Sequence, residues 1–126
     1  KLIIDAANKN IFLMIISNSN IYSVSHKNSK INYERLLVYL KEFLKSKNLT
    51  INDISAFYVN RGPGSFAGIR NSLSIAKALH LVLKIDYYCY SPQDFGIKDG
   101  IKYENIPNLC DKFKVKKNLI NPIYLS

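Results

Sequence analysis

Residues 60–70 read Asn60-Arg61-Gly62-Pro63-Gly64-Ser65-Phe66-Ala67-Gly68-Ile69-Arg70 and hold three of the chain's five glycines, one of its four prolines and two of its three arginines. An apolar run at 56–60 leads into them and a long helical pattern leads away. The stretch is therefore a strand end, a tight turn and a helix start. Gly62, Gly64 and Gly68 permit positive φ or a close backbone approach, Pro63 fixes one φ, and Ser65 can cap the helix by accepting a bond from an orphan N–H. A turn so constrained positions something.

Upstream, residues 1–6 form a short apolar run closed by Asp5, Asn8-Lys9-Asn10 is turn chemistry, and runs at 11–17 and 21–25 follow, separated by Asn18-Ser19-Asn20. Three strands joined by short turns make an antiparallel meander. Over 33–47 the period changes to helical, with Tyr33, Leu36, Leu37, Leu40, Phe43 and Leu44 on one side and charged residues on the other. Asn32 is suited to cap that helix and Asn48 to stop it.

Downstream, a second helix is expected over 65–84, with Phe66, Ile69, Leu73, Ala76, His80 and Leu83 as its main stripe. Ser72, Ile75, Leu79 and Val82 widen the apolar sector to roughly half the circumference, beyond the ~100° that covers one sheet face. This helix should touch more than its own sheet. Residues 86–90 read as a strand ended by Ser91-Pro92, residues 96–118 as a lysine-rich irregular stretch broken by Gly100 and Pro107, and 123–125 as a last edge strand. There is no internal repeat and no coiled-coil heptad.

A length of 126 residues with 48% hydrophobic content suits one core. The formal charge of +9 comes from fifteen lysines and three arginines. It fits a phosphate-rich partner, and it also fits the Lys, Asn and Ile enrichment of an AT-biased genome. Cys89 and Cys110 lie far apart without zinc spacing, so reduced thiols and a cytoplasmic setting are expected. No apolar run approaches the ~18 residues of a membrane span, and no signal peptide is visible.

The chemistry is sparse. The glycine turn could present N–H groups to an anion, but it lacks the Gly-Lys-Ser/Thr of a phosphate-binding P-loop. Ser65 lacks the flanking glycine of a nucleophile elbow, since position 63 is Pro, and no Asp/Glu and His follow in the required order. His26 and His80 have no companion at metal-ligand spacing. Asp5, at a strand end, could bind a cation or serve as a turn former. Arg61 and Arg70 could meet RNA phosphate, a partner's carboxylates or solvent. Lys112, Lys114, Lys116 and Lys117 suit a nucleic-acid patch or a polar loop, and Tyr87, Tyr88 and Tyr90 suit base stacking or packing. No catalytic residue, metal or cofactor is expected.

The order β-β-β-α-β-α-β predicts an α/β fold with a mixed five-stranded sheet, a three-strand antiparallel meander and crossover helices. This is the ribonuclease-H-like single lobe of the actin-like (ASKHA) architecture. Residues 61–70, followed by Ser72-Leu73-Ser74-Ile75-Ala76-Lys77-Ala78-Leu79, resemble the signature of the TsaB (YeaZ) family, GRGPGSFTG[LIV]R. The likeness continues at Glu34-Arg35-Leu36-Leu37, Ile54-Ser55-Ala56 and Pro122-Ile123-Tyr124-Leu125, and covers about residues 1–92 and the last few.

The resemblance implies a non-catalytic scaffold subunit in the synthesis of threonylcarbamoyladenosine in tRNA, docked through its two helices onto a catalytic paralogue, TsaD. A TsaE-like ATPase would join them, tRNA would be met through the complex, and the chain alone would homodimerise. The motif turn (Arg61, Gly62, Pro63, Gly64, Ser65, Phe66, Gly68, Arg70) would then position a helix, with anion binding as the lesser role. The interface candidates are Ser72, Ile75, Leu79, Val82 and Tyr39. Ala67 replaces the usual Thr, Asp5-Ala6-Ala7 replaces Asp-Thr-Ser, and the family's second lobe is reduced. Residues 1–95 would be the lobe and 96–126 the remnant, so the chain would not close around ATP. An autonomous actin-like nucleotide-binding enzyme and a basic tRNA-binding module are the alternatives.

Overall fold

The apolar meander folds as its alternation dictates: β1 (Leu2–Asp5), β2 (Asn10–Ile16) and β3 (Ile21–Lys27) pair antiparallel. Two further strands, β4 (Ala56–Asn60) and β5 (Asp86–Tyr90), add in parallel to give the order β3-β2-β1-β4-β5. The chain is seen here as a computed structural model that describes residues 1–27, 29–97 and 100–124. β1 joins the two halves, with Ile3 opposite Met14 on one side and Tyr58 on the other. This is the mixed five-stranded sheet of the actin-like class. No helix among the described residues is long and apolar enough to cross a membrane.

Successive side chains on a strand point to opposite faces, and both faces here are covered. Leu2, Ile4, Leu13, Phe57, Val59 and Tyr87 face the helices α1 (Lys30–Glu34), α2 (Leu36–Ser46) and α3 (Phe66–Leu83). Ile3, Met14, Tyr58 and Tyr90 face the other way, under residues 95–115. Double cover explains why β1 and β4 read as unbroken apolar runs, as strands buried on both faces do.

The first helix departs from expectation at its start. Ser29, not Asn32, is the cap: its hydroxyl accepts the Asn32 N–H at 3.2 Å. The Asn32 side chain instead accepts the Tyr39 hydroxyl, at 2.6 Å. The helix is also broken at Arg35, which sits at φ −96° and ψ 10°. Its end is as read. Asn48 takes φ +58°, its N–H reaches the Lys45 carbonyl at 3.0 Å, and the Leu49 N–H reaches that of Leu44 at 2.9 Å, closing the last turn as a Schellman pair. The second helix starts after Ser65 and stops at left-handed Lys84.

The stretch expected to be irregular contains α4 (Ile106–Lys112). Pro107 breaks a helix interior but is tolerated in the first turn, where its missing N–H is an orphan anyway. It stands there in α4. Ile106 and Cys110 are buried on one side of α4 and pack with Phe95 against the second sheet face. Further on, the Asn118 N–H bonds the Tyr87 carbonyl at 2.7 Å and Lys117 bridges Tyr88, so the outer edge of β5 is occupied. Tyr124 bridges Gly64 in parallel, while Leu125 of the expected last strand lies outside the described residues.

Gly68 packs so closely on the turn after β1 that an added Cβ would collide with the Ala6 carbonyl and stand 2.7 Å from the Tyr33 ring. Gly68→Ala is expected to lose roughly 3 kcal/mol of stability and roughly 10 °C in Tm by thermal circular dichroism. Gly96→Ala, at φ +68° with open space around it, should lose only about 1 kcal/mol.

Candidate functional site

The motif turn is held from three sides. The Ser65 N–H donates to the Ala7 carbonyl at 3.0 Å, the Arg61 N–H to that of Tyr90 at 2.7 Å, and the Ile123 N–H to that of Arg61 at 2.7 Å. Gly62 takes φ +109°, where a side chain would also strike the Ile123 carbonyl, and its peptide with Pro63 is cis. Gly64 lies against Ala7 as Gly68 lies against Ala6. The small residues of Asp5-Ala6-Ala7 are therefore the other half of this contact.

Three of the turn's donors are engaged internally. The Gly62 N–H bonds Asn60 Oδ1 at 2.9 Å, that of Ser65 bonds Ala7, and that of Gly68 bonds the Ser65 hydroxyl at 3.3 Å. An anion could reach these three amides only by displacing these bonds. Ser65 is a helix cap.

Arg61 is a staple within the fold. Its Nη2 donates to Asp94 Oδ1 at 2.7 Å and its Nη1 to the Asn121 carbonyl at 3.0 Å. Asp94 Oδ2 also accepts the Ser91 N–H at 2.8 Å, fixing the turn after β5. Arg70 is exposed, its guanidinium 5.9 Å from the centroid of the Phe66 ring, which is itself 4.7 Å from that of Tyr124.

Asp5 is buried at the end of β1. Its carboxylate accepts the Ala7 N–H at 3.1 Å, the Asn8 amide at 3.3 Å and the Tyr103 hydroxyl at 2.6 Å. Tyr103 stacks on Phe12 with ring centroids 4.2 Å apart, so the far segment of the chain closes over this carboxylate. Among the described residues no three His, Cys, Asp or Glu side chains are grouped to hold a metal. His26 stacks on Tyr39 at 4.0 Å, and His80 Nδ1 lies 3.1 Å from the Ile85 carbonyl. Tyr88 stacks on Tyr58 and Tyr90 on Phe95, so these rings serve packing.

The interface candidates divide. Ser72 is fully buried, with its hydroxyl donating to the Gly68 and Ile69 carbonyls at 2.9 and 3.0 Å, and is no part of an outer face. Ile75, Leu79 and Tyr39 are half-buried at the edge of the core, while Val82 is 75% exposed. Beside Val82 stand Leu81, 61% exposed, and Leu83, with Leu37 and Val38 exposed on α2. A groove of about 750 Å³ runs between these helices, lined by Leu37, Lys41, Leu49, Ala78, Leu79 and Val82 among others. The sequence reading assigned Leu37 to the buried stripe and passed over Leu81. Which flank of each helix stays open is decided by its tertiary packing, which periodicity does not carry.

A family model described as TsaD: tRNA N6-adenosine threonylcarbamoyltransferase matches residues 23–91, more than half of the chain and inclusive of the turn and both long helices. A relative from Buchnera aphidicola subsp. Schizaphis graminum, named tRNA threonylcarbamoyladenosine biosynthesis protein TsaB, is 37% identical over 68 residues, which are 54% of this chain and 32% of that protein. The chain belongs to the TsaB (YeaZ) family. A second TsaB, from Buchnera aphidicola subsp. Baizongia pistaciae, is 32% identical over 74 residues, covering 52% of this chain and 34% of the relative. The TsaB of Escherichia coli strain K12 is 38% identical over 48 residues, covering 38% and 21%. This chain thus spans about a third of the length of the TsaB relatives it matches. The solved structure of YeaZ from Pseudomonas aeruginosa superimposes with a TM-score of 0.66 at 20% identity, over 71% of this chain and 42% of that one. That likeness is one of fold.

Two expectations follow from this TsaB-type site. Lysine cannot span both Asp94 oxygens and the Asn121 carbonyl, so Arg61→Lys should lose about 1–2 kcal/mol in denaturant unfolding. A double-mutant cycle with Asp94→Asn should give a coupling of about 1 kcal/mol. The second concerns alkali. Burial pushes the Cys89 and Cys110 thiols up to about 12 and raises the phenols of Tyr58, Tyr90 and Tyr103. The folded state holds these protons more tightly than the unfolded chain, so their contribution to stability is complete below the ordinary thiol value and is lost as pH rises above it. Stability should fall from about pH 9 upward, and the buried tyrosines should ionise only as the circular dichroism collapses. Smooth ionisation of all nine tyrosines in the folded state would contradict this.

Proposed function

We propose that this chain is a non-catalytic subunit of the machinery that makes threonylcarbamoyladenosine in tRNA, docked through α2 and α3 on a TsaD-like catalytic subunit. The name carried by its TsaB relatives brings the pathway to this chain. The observation that carries the docking role is the apolar groove between the helices, walled by exposed Leu37, Val82 and Leu83, whose chain neighbours Val38 and Leu81 are exposed too. A contiguous face of this kind, rimmed by Lys41 and Lys45, is a mark of a protein contact surface. It suits an apolar partner helix bordered by carboxylates.

A scaffold role also agrees with the chemistry of the turn. Ser65 caps a helix, the Ser65 and Gly68 N–H groups are bonded, and Asp5 is covered by Tyr103. The glycine turn then works by setting the angle at which α3 leaves the sheet. On this reading residues 1–95 form the docking lobe and 96–126 are the remnant of a second lobe, a TsaE-like ATPase joins at the assembled complex, and two copies pair through the same face when the catalytic subunit is absent. The setting is cytoplasmic.

Co-expression with the TsaD of the same genome should give a heterodimer by size-exclusion chromatography with light scattering, and should restore the modified nucleoside in a strain lacking its own TsaB. Val82→Asp would bury an unpaired charge in the contact and should weaken the complex at least about thirtyfold, while the exposed side chain leaves Tm unchanged. Absence of a complex at micromolar concentrations removes the proposal.

A further inference from the structure

The second sheet face is covered by a segment with a chemistry of its own. Residues 100–124 carry five lysines and two carboxylates, Glu104 and Asp111. Lys117 turns toward Asp86 at 3.7 Å, and the other four lysines are exposed. They are arranged around two concavities, one lined by Lys112 and the other by the adjacent Phe113. One, of about 480 Å³, has Lys102 and Lys112 on its wall. The other, of about 260 Å³, has Lys114 and Lys116, with Arg61 and Asp94 in its lining. The Asp94 carboxylate is already held by Arg61, so it subtracts little from the positive field there.

Between the two lysine pairs stands Phe113, 44% exposed. Its ring lies 5.7 Å from that of buried Phe95, and Lys112 Nζ is 5.5 Å from its centroid. One part of the ring is fixed against the core while another is open to solvent. An aromatic anchored in this way, with cations in concave surroundings to either side, matches the requirements of an unstacked base and its flanking phosphates. A lipid surface would call for a convex apolar face with charges around it, whereas here the lysines line hollows. A single phosphate would need one hollow, and there are two.

We infer that Lys102, Lys112, Lys114, Lys116 and Phe113 form a binding track for single-stranded nucleic acid, with a base on Phe113 and phosphodiesters at the lysine pairs. The track shares no lining residue with the groove between α2 and α3 and needs no partner subunit, so it is independent of the docking proposal. The probes are fluorescent RNA and DNA strands of identical sequence, about twelve nucleotides long, titrated with the whole chain by anisotropy across a salt series.

The logarithm of affinity should fall linearly with that of salt, by about 0.7 per phosphate contact. Replacing the four lysines by alanine should flatten the slope by roughly 3. Replacing four exposed lysines elsewhere (Lys9, Lys27, Lys30 and Lys77) should leave it nearly unchanged. Phe113→Ala should weaken binding about tenfold at an unaltered slope, and Phe113→Tyr should keep it. Circular dichroism checks that each variant is folded. Tighter binding of one strand type, with these variant effects, supports the track and names its source. No binding at low salt, equal losses from both lysine sets, a duplex bound as tightly as the single strand, or association with anionic vesicles in place of either strand would each overturn the inference.

Discussion

The contact on which this fold depends is the approach of the α3 N-terminus to the turn after β1, where Gly64 and Gly68 lie against the carbonyls of Ala7 and Ala6. There is no room for a Cβ on the helix side. The Ser65 N–H, bonded to the Ala7 carbonyl, fixes the height at which the helix begins. Because α3 is a single rod of 18 residues, a small rotation at its start becomes a displacement of several ångströms at Leu81 and Val82, about 22 Å further along at 1.5 Å per residue. The spacing of α3 from α2, and with it the interhelical groove, is set at the turn.

A second constraint comes from the sheet. β4 pairs in parallel with β1 and β5 in parallel with β4, and such strands are stable only when both faces are covered. The helices cover one face. The other would be exposed but for Phe95, Ile106 and Cys110 of the later segment, with Tyr103 reaching the Asp5 carboxylate and Asn118 closing the edge of β5. In a chain whose match covers about a third of its TsaB relatives, a short basic stretch thereby serves as structural cover. The same stretch presents its lysines outward, since their ammonium groups cannot be buried without partners.

The division between the faces has a functional meaning. The helix face carries apolar surface without charge at its centre, which suits protein docking. The opposite face carries charge around an aromatic, which suits a polyanion. The glycine turn, although it has the glycines, serine and helix N-terminus of a catalytic loop, uses the N–H groups of Gly62, Ser65 and Gly68 to hold itself together.

Much of this was legible in the residues. The meander, the mixed sheet, the second helix with its Ser65 cap, the Asn48 stop and the family motif follow from local pattern, because period, capping and glycine placement act within a few residues of one another. Ser29 as the true cap, the break at Arg35 and α4 were missed: each depends on which of several local signals wins, and Pro107 counts against a helix until its first-turn position is known. Ser72 was read as outward and is buried, because the rotation of α3 is decided by Gly68 against Ala6. The partners of Arg61 and Asp5 lie 33 to 98 residues away along the chain, and no local pattern encodes them. What the sequence determined by itself is the identity of the elements and of the turn. What only the tertiary structure decided is which side of α3 faces out and which charges are already paired, since both are set by contacts between segments remote in the chain.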